Sequence, residues 1–447
     1  MVQRRRRETR QRGRYKPAVA FRVSRCRGPR AATDAYFVTR SRNANLLIIL
    51  ILGALSTVSP FSIDMYLPAF PQIANDLKTT QAEVSLSVSG YFVGLACGQL
   101  FYGPLLDRFG RKPPLYGGLS LFVLASVGCA TARSPEVFIA FRLLQAVGGC
   151  GAGVGALAMV RDFFPVEESA KIISLLILVI SVSPLFAPSL GSLIATSFGW
   201  PWIFAVLGGY ALILIAVLAL ALPEGHKPDP GISLRPDAIV SEFMKIIALP
   251  QFRTYAIAGA FSFAGLFVYV TGAPIIFIGA YHLNQKTFGL VFAGLACAFI
   301  GGSQFNIWLL MRHQDREIFR TALICQTIVI IVILAGAWFD WYGLASNIAL
   351  LFLYLPFCGM AYPNAAAIAL APFSRNVGSA SALLGFLQMA VGAFASTGVG
   401  LLHASSSLPI YAVMAVFAVI GLGILSISHA RVENKRSGDS GRDDVHP

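Results

Sequence analysis

Long apolar stretches alternate with short polar ones along this chain of 447 residues. An apolar stretch of about 18 or more residues is long enough to cross a lipid bilayer as an α-helix. The pattern predicts twelve such helices, at roughly 45–70, 83–106, 113–132, 135–160, 170–195, 199–222, 252–279, 286–311, 319–339, 342–371, 376–403 and 408–429. The predicted fold class is therefore an all-α membrane protein.

One polar connection is longer than the others and divides the chain into two parts. Residues 223–251 are rich in proline and charge, whereas nearly all other links are short. The sequence therefore predicts two six-helix bundles at 45–222 and 252–430, joined by a linker, with a tail at 431–447.

A weak internal repeat agrees with this division. A shift of 206 residues superposes one set of four residues on another, namely Phe61, Pro68, Ala74 and Leu77 on Phe267, Pro274, Ala280 and Leu283. Parallel repetition of six-helix halves is typical of transporters, although four matches in apolar sequence can also arise by chance.

The basic residues of the connections predict the orientation. Lys and Arg are concentrated in cytoplasmic loops of membrane proteins. With the N-terminus inside, the inner loops and the C-terminal tail carry seventeen of them, and the outer loops carry only Lys78, Arg133 and Lys286. We therefore expect a multi-pass protein of the bacterial inner membrane with both termini in the cytoplasm.

The composition supports the membrane interpretation, and most of the net positive charge lies in the N-terminal arm. Hydrophobic residues make up 56% of the chain and charged residues 13%, whereas soluble domains are about a quarter charged. The net charge is +14, and residues 1–44 carry +12 of it. This arm is interpreted as a basic, disordered cytoplasmic segment on anionic lipid, as a transit-like peptide, or as upstream sequence from a misassigned start. Nucleic-acid binding is not expected, because no folded basic module accompanies it.

Enzyme chemistry and metal binding find no support in the sequence. The seven cysteines contain no C-x-x-C pair, which argues against a disulfide scaffold and a thiolate zinc site. The spans hold no cluster of metal ligands and no nucleophile constellation. We expect no cofactor and no enzymatic activity, and a monomer in the bilayer.

Two charged residues lie well inside the predicted spans. Asp64 lies on span 1 and Arg142 on span 4, at similar predicted depths from the outer face. A charge in hydrocarbon is costly unless it is paired or solvated, so each is a candidate functional residue. Asp64 could bind a proton on one side and release it on the other, with Arg142 modulating it, because a guanidinium does not release its own proton. The alternative is a static ion pair between the two spans.

Further polar residues on the spans are candidates for a substrate cavity or for bridges between helices. The cavity candidates are Tyr66, Gln99, Gln145, Tyr269, Asn364 and Gln388.

The connection between spans 2 and 3 has the composition of a gating loop. Its candidate residues are Gly103, Asp107, Arg108, Gly110, Arg111 and Lys112. Gly103 would permit close helix packing, Gly110 suits a tight turn, and Asp107 could face a helix N-terminus. Arg111 could pair with Asp162 at the end of span 4.

Span 5 contains two prolines and several small residues. Pro184 and Pro188 each remove a backbone donor and favour a bend, and Gly191 lets another helix approach. Such a helix could rock or seal a cavity, or could simply be kinked.

Together these motifs resemble those of the major facilitator superfamily. Residues 103–115 resemble its loop 2–3 signature, residues 142–148 its span-4 motif with Ala146 in place of a glycine, and residues 183–192 its antiporter motif. Residues 62–71 are similar to the first span of Bcr/CflA-type drug-resistance transporters, and so are residues 161–165.

The resemblance implies proton-driven efflux of varied drugs by alternating access between the two bundles. It assigns proton carriage to Asp64, modulation to Arg142, a cytoplasmic charge relay to Asp107, Arg111 and Asp162, and restriction of leak to the region of Pro188. The substrates would be amphipathic drugs, and the energy source the proton gradient. A dedicated exporter or proton-coupled importer of one metabolite is the alternative.

Overall fold

The computed structural model describes residues 42–224, 228–231, 236–341, 343–373, 377–402 and 406–440. The predicted basic arm therefore lies almost entirely outside the described residues, as do residues 441–447 of the predicted tail.

The described residues form helices connected by short turns. Fourteen α-helices follow one another as α1 (Arg42–Asp64), α2 (Phe70–Asp76), α3 (Gln81–Phe109), α4 (Lys112–Ala130), α5 (Pro135–Phe163), α6 (Val166–Phe198), α7 (Pro201–Leu220), α8 (Pro236–Ala248), α9 (Pro250–Pro274), α10 (Gln285–Leu309), α11 (Asp315–Trp338), α12 (Leu344–Leu370), α13 (Val377–Leu401) and α14 (Ser407–Ser440). Within the described ranges, twelve helical segments are long and apolar enough to cross a membrane. The predicted all-α fold with twelve spans is confirmed.

Polar residues at the turns determine where several spans begin. The Thr80 side chain accepts a hydrogen bond from the Glu83 amide at the start of α3, and the Asn284 side chain accepts one from the Thr287 amide at the start of α10. Such caps satisfy amides that have no partner within the helix. Gly110 ends α3 with a φ of 84°, a conformation that favours glycine.

Most helix packing occurs within two halves of the chain. In the first half, α5 packs against α1, α3 and α4, while α4 also contacts α7. In the second half, α9 packs against α12, α13 and α14, and α12 contacts α10 and α11. Between the halves, the principal contacts are α3 with α13 and α6 with α10.

The first and seventh spans are both interrupted. Span 1 consists of α1, a 3-10 turn over Leu67–Ala69 and α2, so it continues to Asp76 and not only to about residue 70. In span 7, α9 ends at Pro274 and a π-helix follows over Ile275–Ala280. Pro68 and Pro274, which the internal repeat superposes, lie at these two interruptions.

The linker and the last span contain more helix than the sequence pattern indicated. Helix α8 lies within the predicted linker and packs against α9 and α13, with Ile246 buried in the same apolar cluster as Phe252. Helix α14 continues beyond the predicted end of span 12 to Ser440.

Candidate functional site

Asp64 is the last residue of α1, at the interruption of span 1. Its exposed fraction is 5%, so the carboxylate does not face lipid. Among the described residues, the structure records no hydrogen bond or ion pair to it. The 3-10 turn that follows Asp64 contacts α9 and α10 of the second half, and within the described part of the chain the Tyr269 hydroxyl of α9 is buried without a hydrogen-bond partner. Asp64 is thus a buried acid beside the second half of the molecule.

Arg142 is fully buried on α5 and is held by uncharged groups. Its Nη1 donates to Ser62 Oγ at 2.8 Å and to Gln145 Oε1, and its Nη2 donates to the Ser62 carbonyl oxygen at 2.9 Å. The guanidinium carbon lies 4.3 Å from the ring centroids of both Tyr66 and Tyr91, within the range of cation–π attraction. These contacts connect α5 to span 1 and to α3.

The static ion pair between Asp64 and Arg142, weighed above as an alternative, is not found among the described contacts. The reason is the geometry of α1: residues two apart lie about 200° apart around a helix axis. Arg142 binds Ser62, so the Asp64 side chain emerges on nearly the opposite face. The sequence predicted similar depths for Asp64 and Arg142. The two charges are nevertheless apart, because Asp64 and the residue that binds Arg142 point in nearly opposite directions from the axis of α1.

Three of the six cavity candidates are bridges between helices in this structure. The Tyr66 hydroxyl is hydrogen-bonded to Ser87 Oγ at 2.8 Å, and Gln145 donates to Ser126 Oγ at 2.8 Å. Asn364 donates to Asn306 Oδ1 at 2.6 Å and to the Met360 carbonyl.

The other three candidates lie between the halves or near that interface. Gln99 is half-buried on α3 beside Gly385 of α13, Gln388 is buried on α13, and Tyr269 is buried on α9. A cavity role for these three stays a prediction.

Helix α6 passes very close to the interruption in span 1. A β-carbon built on Gly191 would lie only 1.6 Å from the Met65 carbonyl oxygen, next in the chain to Asp64. Pro188 is also buried, and Pro184 lies one turn earlier within the same helix. Because a β-carbon at position 191 would collide with the Met65 carbonyl oxygen, this close contact between α6 and span 1 requires glycine there.

The predicted pair at the gating loop is present. Arg111 Nε donates to Asp162 Oδ2 at 2.7 Å and Nη2 donates to Oδ1 at 3.2 Å, while Nη1 donates to Asp107 Oδ1 at 2.7 Å. Burial of the guanidinium lowers the pKa of Arg111, but the hydrogen bonds and charges of Asp162 and Asp107 outweigh it and raise that pKa. We call Arg111, Asp107 and Asp162 the gate cluster.

Two details of the loop differ from the prediction. A β-carbon built on Gly103 would meet no atom within 4 Å, so the close packing expected there is wrong for this structure. The carboxylate at the N-terminus of α4 belongs to Glu224 and not to Asp107, because Glu224 Oε1 accepts from the Arg111 and Lys112 amides at 2.9 and 3.2 Å. Arg108 lies over the Phe109 ring, 5.8 Å from its centroid.

Sequence reasoning overlooked Glu224 and Ser62. Glu224 was only one charge of the linker, and Ser62 carried no signal beyond its place in the first-span motif. Each is recognisable only once a partner distant in sequence is known.

Twelve spans in two halves, with a buried acid at an interrupted first span, are the architecture of a membrane transporter. The model of the Major Facilitator Superfamily matches residues 52–397, and the chain belongs to this family. It is a multi-pass membrane transporter and not an enzyme.

Two relatives of known sequence show which type of transporter within this family the chain resembles. The chain is 31% identical over 383 residues to a bicyclomycin resistance protein homolog of Haemophilus influenzae, covering 85% of this chain and 96% of that protein. It is 30% identical over 356 residues to multidrug resistance protein D of Escherichia coli, covering 78% and 86%. The predicted resemblance to Bcr/CflA-type drug-resistance transporters is confirmed.

A solved structure supports the fold. The crystal structure of a D-xylose-proton symporter is similar with a TM-score of 0.69 and 14% sequence identity, covering 85% of this chain and 97% of that one. This likeness shows the major facilitator fold.

Proposed function

We propose that this transporter exports amphipathic drugs or other small molecules across the bacterial inner membrane in exchange for protons, with no bound cofactor. The names of the relatives, which include bicyclomycin and multidrug resistance, support export of drugs. Both termini and the gate cluster then lie on the cytoplasmic side, as the distribution of basic residues indicates.

The observation that carries the proton coupling is the environment of Asp64. It is a buried carboxylate for which the described residues provide no recorded cationic partner or hydrogen bond. A carboxylate in apolar surroundings favours its neutral form, whereas contact with water allows it to ionise. A change in access from one side to the other therefore makes Asp64 take up and release a proton.

Alternating access requires the two halves to separate at one end while they close at the other. Near Asp64 the halves touch, since Gly289 of α10 lies against Ser189 of α6 and Gly400 of α13 against Leu86 of α3. We propose that these contacts close the outer side and that Arg142 modulates Asp64 through the Ser62 and Tyr66 segment.

The test is export by an efflux-deficient bacterium that expresses the chain. We expect resistance to some members of a drug panel that includes bicyclomycin, and a protonophore should erase it. Asp64→Asn, which keeps the size of the side chain and cannot ionise, should abolish this resistance while the protein remains inserted.

Asp340→Asn is the matched control, because Asp340 is exposed between α11 and α12 at a φ of 53°, which asparagine also adopts. It should retain full resistance. Protonophore-sensitive resistance in Asp64→Asn would contradict the role of Asp64. No resistance across the panel would instead favour a dedicated exporter or proton-coupled importer of one metabolite.

A further inference from the structure

The segment that follows α7 contacts the gating loop through Glu224. The Glu224 carboxylate accepts hydrogen bonds from the backbone amides of Arg111, at 2.9 Å, and of Lys112, at 3.2 Å. The same segment makes a second hydrogen bond to the loop region, in which the Asp229 amide donates to the Asp107 carbonyl oxygen at 3.2 Å.

The local sequence of α4 leaves two amides available to an acceptor from outside the helix. The first four amides of a helix have no partner within it. At α4 the N-cap residue is Arg111, whose side chain cannot accept a hydrogen bond, and α4 has no side-chain cap of its own. Pro113 and Pro114 have no amide hydrogen, so Glu224 takes both amides that the start of the helix offers.

The backbone and the side chain of Arg111 are consequently both held by hydrogen bonds. Its backbone is held by Glu224, and its guanidinium bridges Asp162 and Asp107. The guanidinium fork can bind a carboxylate with two hydrogen bonds only if it has the correct orientation. A carboxylate near a helix N-terminus is also favoured by the helix dipole.

We propose that Glu224 is a positioning residue of the gate: by capping α4 it sets the backbone of Arg111 so that the guanidinium bridges Asp107 and Asp162. Glu224 thereby connects the beginning of the linker between the halves to the gate cluster. This role goes beyond the proposed drug export and involves neither the substrate nor the proton site.

Hydrogen exchange on the full chain in detergent micelles tests the contact directly. A peptide spanning residues 108–116 places Arg111 beyond the two N-terminal positions that lose deuterium, and it includes two prolines, so the Arg111 and Lys112 amides form a large share of its exchangeable sites. Glu224→Ala should accelerate exchange of these amides by about tenfold or more, since tenfold is near the lower limit for the loss of a hydrogen bond to a charged group. Glu224→Gln, which retains an acceptor oxygen, should accelerate it less.

Glu168→Ala is the matched control, since Glu168 is an exposed acid at the same end of the first half, and it should leave the peptide unchanged. Equal exchange in Glu224→Ala and Glu168→Ala would overturn the proposal.

A double-mutant cycle distinguishes positioning from a general loss of stability. Asp162→Asn removes the negative charge and one of the two acceptor oxygens that Asp162 offers the Arg111 guanidinium, so the thermal midpoint shifts of Glu224→Ala and Asp162→Asn should be non-additive. The shifts of Glu224→Ala and the distant Asp64→Asn should add. Additivity in both cycles would mean that Glu224 does not act through Arg111, whatever the outcome of the export assay.

Discussion

Arg142 shows how a buried charge can be accommodated without a buried counter-charge. Two oxygens of Ser62, the amide oxygen of Gln145 and two tyrosine rings surround its guanidinium. Hydrogen bonds to a charged group are stronger than those between neutral groups. Within the described residues, this arrangement leaves Asp64 without an ion pair to Arg142, as the proposed carriage of a proton requires.

Replacement of Arg142 by lysine should therefore be costly although the charge is kept. Lysine loses the planar fork and much of the stacking on Tyr66 and Tyr91, and we expect a loss of about 2–4 kcal/mol. Thermal unfolding in detergent measures the effect. Arg312→Lys is the control, because Arg312 also lies over an aromatic ring, that of Trp308, but at an exposed site. Equal shifts in the two variants would contradict this account of Arg142.

The sequence identified most of the single residues of the site and the pair of Arg111 with Asp162, but not the other partners. Asp64 and Arg142 were distinguished because they are charges within apolar spans, and Arg111 with Asp162 because loop composition predicted the pair. The face of α1 from which Asp64 emerges could not be predicted while the partner of Ser62 was unknown. Glu224 gave no usable signal, since its contact with Arg111 spans 113 residues of chain.

At the scale of elements, the important contact at the site is the close approach of Gly191 on α6 to the Met65 carbonyl oxygen at the interruption of span 1. The chain leaves helical geometry after Asp64, and the Met65 carbonyl oxygen points at the position where α6 has glycine. A movement of α6 must therefore displace the backbone next to Asp64. This contact gives a physical route by which protonation and the position of α6 can influence each other.

Gly191→Ala should disrupt that contact. The added carbon cannot fit 1.6 Å from the Met65 oxygen, so the two segments must move apart at a cost of about 1–3 kcal/mol, as for overpacked sites. Gly209→Ala on α7 is the control, because a β-carbon there meets no atom within 4 Å and alanine favours a helix. We expect a lowered thermal midpoint and loss of export only for Gly191→Ala. Full export by Gly191→Ala would argue against the close contact between α6 and the Met65 carbonyl oxygen.

The approximate bounds of the spans were predictable from the apolar stretches alone, and the repeat superposed Pro68 on Pro274. The 3-10 turn and the π-helix at those prolines were not foreseen, because periodicity is uninformative in spans that are apolar on every face. The same reason explains the incorrect expectation for Gly103, whose neighbours depend on tertiary packing.

At the scale of the whole molecule, the principal contacts between the halves are the two pairs α3 with α13 and α6 with α10. Near the end of α13, a β-carbon built on Gly400 would lie 2.5 Å from Leu86 Cγ on α3. The two halves thus meet tightly at the end of the molecule that we assign to the outer side. Alternating access predicts that this contact opens during transport.

A cross-link between the halves should therefore stop transport. In the double variant Leu86→Cys, Gly400→Cys, the two β-carbons lie close enough for a disulfide. Oxidation should block export, and a reductant should restore it, whereas export by Leu86→Cys alone should be insensitive to oxidation. The measurement is protonophore-sensitive resistance, with gel mobility after cleavage in the linker to confirm the bond. Export by the fully cross-linked protein would contradict separation of the halves at this point.

The overall architecture was predictable because the membrane imposes it. Twelve apolar stretches and one long polar connection indicated the spans and the two halves, and the motifs indicated the family. The pairing of α3 with α13 could not be predicted, since surfaces that face lipid and surfaces that face another helix are both apolar. Only the assembled chain shows which helices meet.

The central claim is that Asp64 carries the proton, and transport into proteoliposomes tests it most directly. The probe is bicyclomycin, or the panel compound with the strongest protonophore-sensitive resistance. Wild-type protein should accumulate the compound when a pH gradient is imposed and should exchange it at equal pH on both sides. Asp64→Asn should retain the exchange, because its amide mimics the protonated acid, and should lose accumulation driven by the gradient. Gradient-driven accumulation by Asp64→Asn at the wild-type rate would contradict the account.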